Sequence, residues 1–299
     1  MTKLQIILLL TAFLTILLAC NEKPTQKSTS SKDDSQLVKE TELIVHSNDT
    51  VLSHKYDCCL IITTEIKYPT ADTKIKGSIF LLHGWNLPSN EWCEKTSFCE
   101  KALQKGYVLI IPDYKKSNYT LELYPETRAE YQKYPTITWI IDTHIKEIQD
   151  NLGLLKPGQN NLIAGISTGG RGATLLAYYL PEIFRACASL SGDFDITSMQ
   201  EEFLYYAFLG QYKDFTERWK KECFAYDCEN FKVPIYIGHG KVDKVSPVEQ
   251  SIAMYDSIKK YQPKLRIVGN FPEFASHNYD YWESETNNIL DFFECCEGK

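Results

Sequence analysis

Beyond residue 40, apolar residues come in short runs of strand length, separated by segments where they recur every three or four positions. The runs at 43–46, 58–66, 77–83, 107–111, 162–164, 186–190, 233–237 and 265–268 predict strands. The run GSIFLLH at 77–83 is continuous, which suits a strand covered on both faces. Helical spacing predicts helices over 91–104, 137–152, 173–180, 248–261 and 282–294. In the second of these Ile137, Ile140, Ile141, Ile145 and Ile148 share one face. The first two strands read as an antiparallel start. After them strand and helix alternate with short turns, so the expected sheet is mostly parallel and doubly wound, an α/β fold with helices on both faces.

Four stretches stand outside the alternation. Residues 67–76, with Pro69, and 271–281 read as loops. Residues 115–135 are polar and rich in tyrosine (Tyr119, Tyr124, Tyr131, Tyr134), either a surface excursion lining a cleft or a long loop. Residues 196–231 carry Met199, Phe203, Leu204, Tyr205, Tyr206 and Trp219 and read as one or two helices, a small cap or specificity insertion.

The N-terminus has a different pattern. Lys3 precedes an apolar run at 4–18, too short for a comfortable membrane span, which ends Leu17-Leu18-Ala19-Cys20. Small and apolar residues just before a cysteine resemble the lipobox of bacterial lipoproteins. That resemblance implies a signal peptide at 1–19, cleavage before Cys20, diacylation of Cys20 and a lipid-anchored place in the bacterial cell envelope. An ordinary secretory signal with an incidental cysteine is the alternative. Asn21 follows, not Asp, so one retention cue is missing and the leaflet stays open. Residues 21–40 lack periodicity and are rich in Ser, Thr, Lys and Asp, so 20–40 reads as a flexible tether and 41–299 as the domain.

Composition narrows the classes. With 43% hydrophobic residues in 299, the chain can bury one large core. A formal charge of -7 with no dense Lys/Arg block argues against a nucleic-acid partner. Nine cysteines besides Cys20 suit an oxidising compartment, and an odd number leaves at least one thiol. Cys93/Cys99 and Cys223/Cys228 are close enough for local bridges, while Cys187, in an apolar run, reads as a buried thiol. The adjacent pairs Cys58-Cys59 and Cys295-Cys296 stay unassigned. No Cys/His spacing suggests zinc, and neither a metal nor an organic cofactor is expected.

The most informative stretch is NLIAGISTGGRGATLLA at 161–177. A short apolar run leads into Gly165-Ile166-Ser167-Thr168-Gly169 and then into a helical pattern. Strand, Gly-x-Ser-x-Gly and helix together describe a nucleophile elbow, where a serine sits at a strained turn and glycines two positions away avoid collision. An ordinary βα turn is the alternative. A serine hydroxyl needs a base, and the base needs an orienting carboxylate. Asp243 follows a strand end, in the turn Gly240-Lys241-Val242-Asp243. Of six histidines only His277, in the loop after the last strand, completes the order Ser, Asp, His. His46 and His54 read as surface residues, His83 as a stabiliser of its own loop, His144 as a helix residue and His239 as a neighbour of the Asp turn. An oxyanion needs N–H donors, which the Thr168 amide and the loop after His83-Gly84, through Trp85, would supply.

Taken together, His83-Gly84, the 165–170 run, Ser191-Gly192-Asp193-Phe194-Asp195, Asp243 and His277 resemble the α/β-hydrolase superfamily. Ser167 to Asp195, with Pro181-Glu182-Ile183-Phe184 and Leu190-Ser191-Gly192, is similar to its putative-esterase (esterase D-like) branch. The branch usually has a further Gly after His-Gly-Trp; here Asn86-Leu87-Pro88 follows. The resemblance implies an α/β-hydrolase fold and a serine esterase acting through an acyl-enzyme on a small-molecule or glycan-linked ester. A peptidase of prolyl-oligopeptidase type, an acyltransferase and a non-catalytic surface binding protein are the alternatives. The oligomeric state is open.

Overall fold

In the computed structural model, residues 41–46, 49–57, 60–223 and 227–297 are described. The expected signal peptide, Cys20, the tether, Cys58 and Cys59 lie outside them. The strands are β1 (Thr41–His46), β2 (Asp49–Asp57), β3 (Leu60–Lys67), β4 (Gly77–Leu82), β5 (Tyr107–Pro112), β6 (Asn161–Ile166), β7 (Phe184–Leu190), β8 (Ile235–Gly238) and β9 (Ile267–Asn270). They form one sheet in the order β1-β2-β3-β5-β4-β6-β7-β8-β9. β1, β2, β3 and β5 pair antiparallel, and every pair from β5 to β9 is parallel. The expected α/β-hydrolase sheet is present. The antiparallel start has three strands where two were expected. In β2, Thr50, Leu52 and His54 are buried at a spacing of two, a strand pattern carried by one apolar residue and two polar ones.

The central strands are mostly apolar because both their faces are covered; Ser78 of β4 is buried, with its hydroxyl donating to Asn161 of β6. Phe80 and Leu82 of β4, Val108 and Ile110 of β5 and Ile163 of β6 join one core. Their alternates Ile79, Leu81, Leu109, Ile111, Leu162 and Ala164 join the other. The first core is covered by α3 (Ile137–Trp139), a π-helical turn (Ile140–Ile145), α4 (Lys146–Leu152), α5 (Thr168–Tyr179) and α8 (Val248–Tyr261). The second is covered by α1 (Glu91–Lys95), α2 (Phe98–Gln104), α9 (Tyr279–Ser284) and α10 (Thr286–Glu294).

Where one helix was expected over 91–104 there are two, since Thr96 is extended and breaks the run. The expected Cys93–Cys99 disulfide spans that break, with Cα atoms 5.0 Å apart. The expected Cys223–Cys228 bridge does not form: Cys223 is a buried thiol 3.7 Å from the Asp195 carboxylate. Cys187 is the buried thiol expected of it.

Residues 196–231 hold α6 (Phe203–Leu209) and α7 (Thr216–Lys221). They share a third core with the tyrosine-rich stretch, built from Tyr124, Ile196, Met199, Tyr205, Phe208 and Trp219. Residues 115–135 are the long loop of the two readings, without helix or strand, but one that is anchored: Tyr119 and Tyr124 are buried, and Thr127 donates to the Phe208 carbonyl, while Glu122, Leu123 and Glu126 face outward.

Candidate active site

β6 ends at Ile166 and α5 begins at Thr168, so Ser167 alone makes the turn. Its φ of 56° and ψ of -131° are strained for a residue with a side chain. Two glycines permit it. A Cβ on Gly165 would stand 1.9 Å from the Gly169 carbonyl oxygen, and one on Gly169 would stand 2.5 Å from the carbonyl oxygens of Leu82 and His83. The turn is pinned by the Ser167 N–H, which donates to the Leu190 carbonyl at 2.8 Å. β4 and β6 are neighbours, while the chain reaches β6 by way of β5 on the far side of β4. Ser167 and the Gly84 loop thus stand at the reversal of strand order, where ligands gather in such sheets.

The three side chains expected to meet do meet. His277 Nε2 lies 3.0 Å from Ser167 Oγ, and His277 Nδ1 lies 2.7 Å from Asp243 Oδ2. The carboxylate is an acceptor, so this pairing places the imidazole proton on Nδ1 and leaves Nε2 to accept from the serine. The Asp243 side chain is fully buried. Burial alone would raise its carboxyl, but hydrogen bonds from His239, His277 and the Ser246 amide hold it well below the usual carboxylate range. Oδ1 accepts from the N–H groups of Val245 and Ser246 at 2.8 and 2.9 Å. His277 also packs edge-on against Trp282, with ring centroids 5.3 Å apart, and the Trp282 indole donates to Ser191 Oγ at 3.2 Å.

His239 is more than a neighbour of the turn. Its Nε2 lies 3.2 Å from Asp243 Oδ2 and 3.0 Å from the Ser246 carbonyl, while Nδ1 meets Ser251 Oγ at 2.7 Å. Two imidazoles therefore share one carboxylate oxygen. Sequence spacing alone gave no sign of this, since His239 and Asp243 come together only through a turn. His54, expected at the surface, is buried and paired with Glu147 at 2.6 Å.

Thr168 and Trp85 line the same cleft as Ser167 and His277, a cavity of about 420 Å³. Thr168 opens α5, so its N–H has no partner within the helix, and the Trp85 N–H meets no backbone acceptor among the described residues. His83 fixes this loop as expected. It accepts the Tyr114 N–H at Nε2 (2.9 Å), so Nδ1 donates to the Gly84 carbonyl at 2.7 Å. Burial holds His83 below its ordinary value and so keeps it neutral for both roles. The Asn86 N–H donates to the Lys115 carbonyl and closes the same loop pair. The rest of the cleft wall is largely apolar, with Leu87, Met199, Leu204, Tyr279 and Trp282.

No curated protein matches this chain in sequence. Among solved structures, an S-formylglutathione hydrolase from Agrobacterium tumefaciens is 15% identical, with a TM-score of 0.67 over 86% of this chain and 99% of that one. A fluorophosphonate-binding serine hydrolase of Staphylococcus aureus is 18% identical, with a TM-score of 0.60 over 85% of this chain and 98% of that one. An acylaminoacyl peptidase of Pyrococcus horikoshii is 15% identical and has a TM-score of 0.63 over 86% of this chain, but only 42% of its own length is covered. At these identities the likeness speaks for the fold. Residues 67–293 match the family described as "Putative esterase", and the chain belongs to that family of carboxylic ester hydrolases.

Proposed function

We propose that this esterase works through an acyl-enzyme on Ser167. The observation that carries the reading is the continuous hydrogen-bonded line from Ser167 Oγ through His277 to Asp243. Ser167 Oγ attacks the ester carbonyl carbon as its proton passes to His277 Nε2. Asp243 holds the imidazolium that forms. The carbonyl oxygen gains charge and is met by the Thr168 and Trp85 amides, each such donor being worth about 3 kcal/mol in the transition state. The C–O bond to the alcohol breaks as His277 returns the proton to it. Water, deprotonated by His277, then attacks the acyl-enzyme and releases the acid. Residues 196–231 supply a wall of the cleft through Met199, Glu202, Leu204 and Tyr205 and act as its cap.

The largely apolar wall, with Asp193 and Glu202 as its carboxylates, supports an ester whose acyl group is apolar and not anionic. The lipobox-like Leu17-Leu18-Ala19-Cys20 supports a lipid-anchored enzyme of the bacterial cell envelope. A fluorophosphonate probe tests the chemistry: it should label Ser167 in the wild type, and Ser167→Ala should lose both label and p-nitrophenyl acetate turnover. Turnover retained in a folded Ser167→Ala protein would overturn the mechanism. Labelling with palmitate tests the anchor, which Cys20→Ser should abolish.

A further inference from the structure

At the edge of the sheet opposite Ser167, where β7, β8 and β9 begin, lies a cavity of about 350 Å³. Its wall holds four cationic residues, Arg185, Lys232, Lys264 and Arg266, and no carboxylate. Its floor is apolar, with Phe184 and Val233. The layout follows from strand register. Cys187 pairs with Ile235 and Ile235 with Ile267, so the residues leading into three neighbouring strands end side by side. Hydrogen bonds from the Cys187 N–H to the Pro234 carbonyl and from the Ile235 N–H to the Arg266 carbonyl hold them there. Each strand delivers at least one cation to the same hollow.

The chain as a whole is acidic, with 39 Asp and Glu against 32 Lys and Arg, so this local reversal is not a consequence of composition. No ion pair joins Lys232, Lys264 or Arg266 to a carboxylate among the described residues. Arg266 also lines the adjoining cavity together with Asp291, and its guanidinium lies 5.7 Å from the Phe292 ring centroid. Lys232, Lys264 and Arg266 are like charges over an apolar floor, so they repel, and an anion that enters relieves the repulsion. Guanidinium and ammonium groups together fit phosphate oxygens, and the volume leaves room for a small organic part against Phe184.

We infer that this cavity binds an organic phosphate, at a site separate from the esterase centre. Two sources share that chemistry, a soluble phosphate ester and the headgroup of an anionic phospholipid. The test uses the full-length protein with two probes. One is glycerol 3-phosphate, followed by calorimetry. The other is a pair of vesicle preparations, phosphatidylglycerol and phosphatidylcholine, followed by flotation. Lys232→Gln/Lys264→Gln should weaken the phosphate-dependent binding at least tenfold, while Lys146→Gln, on α4 and outside the cavity wall, leaves it unchanged. Ester turnover should stay at wild-type level in both variants. Saturable glycerol 3-phosphate binding supports a soluble ligand. A preference for phosphatidylglycerol vesicles without it, lost in the double variant, supports a headgroup. Any lipid anchor contributes equally to both vesicles and to every variant. No saturable binding to either probe, or equal binding by wild type and double variant, overturns the proposal.

Discussion

Arg171 and Glu222 face each other at 2.8 Å, with side chains only 2% and 0% exposed. Arg171 lies one helical turn past Ser167 on α5, and Glu222 follows α7 of the insertion. The guanidinium also donates to the Tyr119 and Glu222 carbonyls, and the carboxylate also accepts from the Leu121 N–H and the Tyr124 hydroxyl. One buried ion pair thus fastens the nucleophile helix to the tyrosine-rich stretch and the insertion. Burial raises the Glu222 carboxyl, against the pull of Arg171.

Removing either partner should leave an uncompensated charge in the core. Arg171→Ala is expected to cost about 3–5 kcal/mol in urea unfolding. The double variant Arg171→Ala/Glu222→Ala should lose clearly less than the sum of the two single losses. Additive losses would show that the pair contributes no coupling.

The acid end of the site makes a second, separable prediction. Asp243→Asn replaces a carboxylate by an amide facing two imidazoles, and kcat should fall by about 10⁴, as for the corresponding change in other Ser-His-Asp enzymes. Asp243 is held below its unfolded value. Its contribution to stability is therefore full above about pH 4 and is lost as the pH falls toward the folded value. The stability gap between wild type and Asp243→Asn should accordingly shrink below about pH 4. His239→Phe should be milder, removing a charged hydrogen bond of about 1.5–3 kcal/mol. With one donor fewer, the Asp243 carboxylate pulls harder on the His277 proton. The kcat/KM of His239→Phe should accordingly fall far less than that of Asp243→Asn in the same ester assay.

Much of this site was legible in the sequence because its parts are local. Gly165, Ser167 and Gly169 carry the elbow in five residues, and Asp243 and His277 each follow a strand readable from its apolar run. His239 was legible only as a neighbour of the Asp turn, because its bond to Asp243 depends on the path of that turn. Residues 115–135 were harder still. Their polar composition suggests solvent, yet Glu222, a hundred positions away, takes up their Leu121 amide and Tyr124 hydroxyl. Hydrophobic patterning has no means of recording a burial carried by hydrogen bonds. The same holds for β2, where Thr50 and His54 point inward with Leu52.

A buried histidine gives the protein an acid weakness away from the site. His144 is enclosed by the Tyr114 hydroxyl at 2.6 Å and the Thr64 hydroxyl at 2.9 Å. Burial lowers its pKa to about 3, with His54 adding to the effect. The unfolded chain takes up this proton near pH 6.5 and the folded one does not, so stability falls as the pH drops between those values. One such group contributes a slope of about 1.4 kcal/mol per pH unit. His144→Gln should flatten the decline between pH 6 and 4, as read by unfolding at a series of pH values.

Glycines at the elbow and elsewhere should respond differently to the same substitution. Gly153 ends α4 at a φ of 68°, and a Cβ there would meet nothing within 4 Å. Gly153→Ala therefore adds only backbone strain, about 1 kcal/mol, and should leave ester turnover unchanged. Gly165 has ordinary backbone angles, but its Cβ would fall 1.9 Å from the Gly169 carbonyl oxygen and 2.7 Å from the Gly170 nitrogen. Neither neighbour is a side chain that can swing aside. Relief requires β6 and the first turn of α5 to separate, which moves Ser167 Oγ relative to His277 Nε2. A displacement of about 1 Å in a reacting group costs about a hundredfold in rate. Gly165→Ala is therefore expected to lose at least that much kcat, together with fluorophosphonate labelling. A Gly165→Ala protein that keeps both would mean that the elbow yields without carrying its serine along.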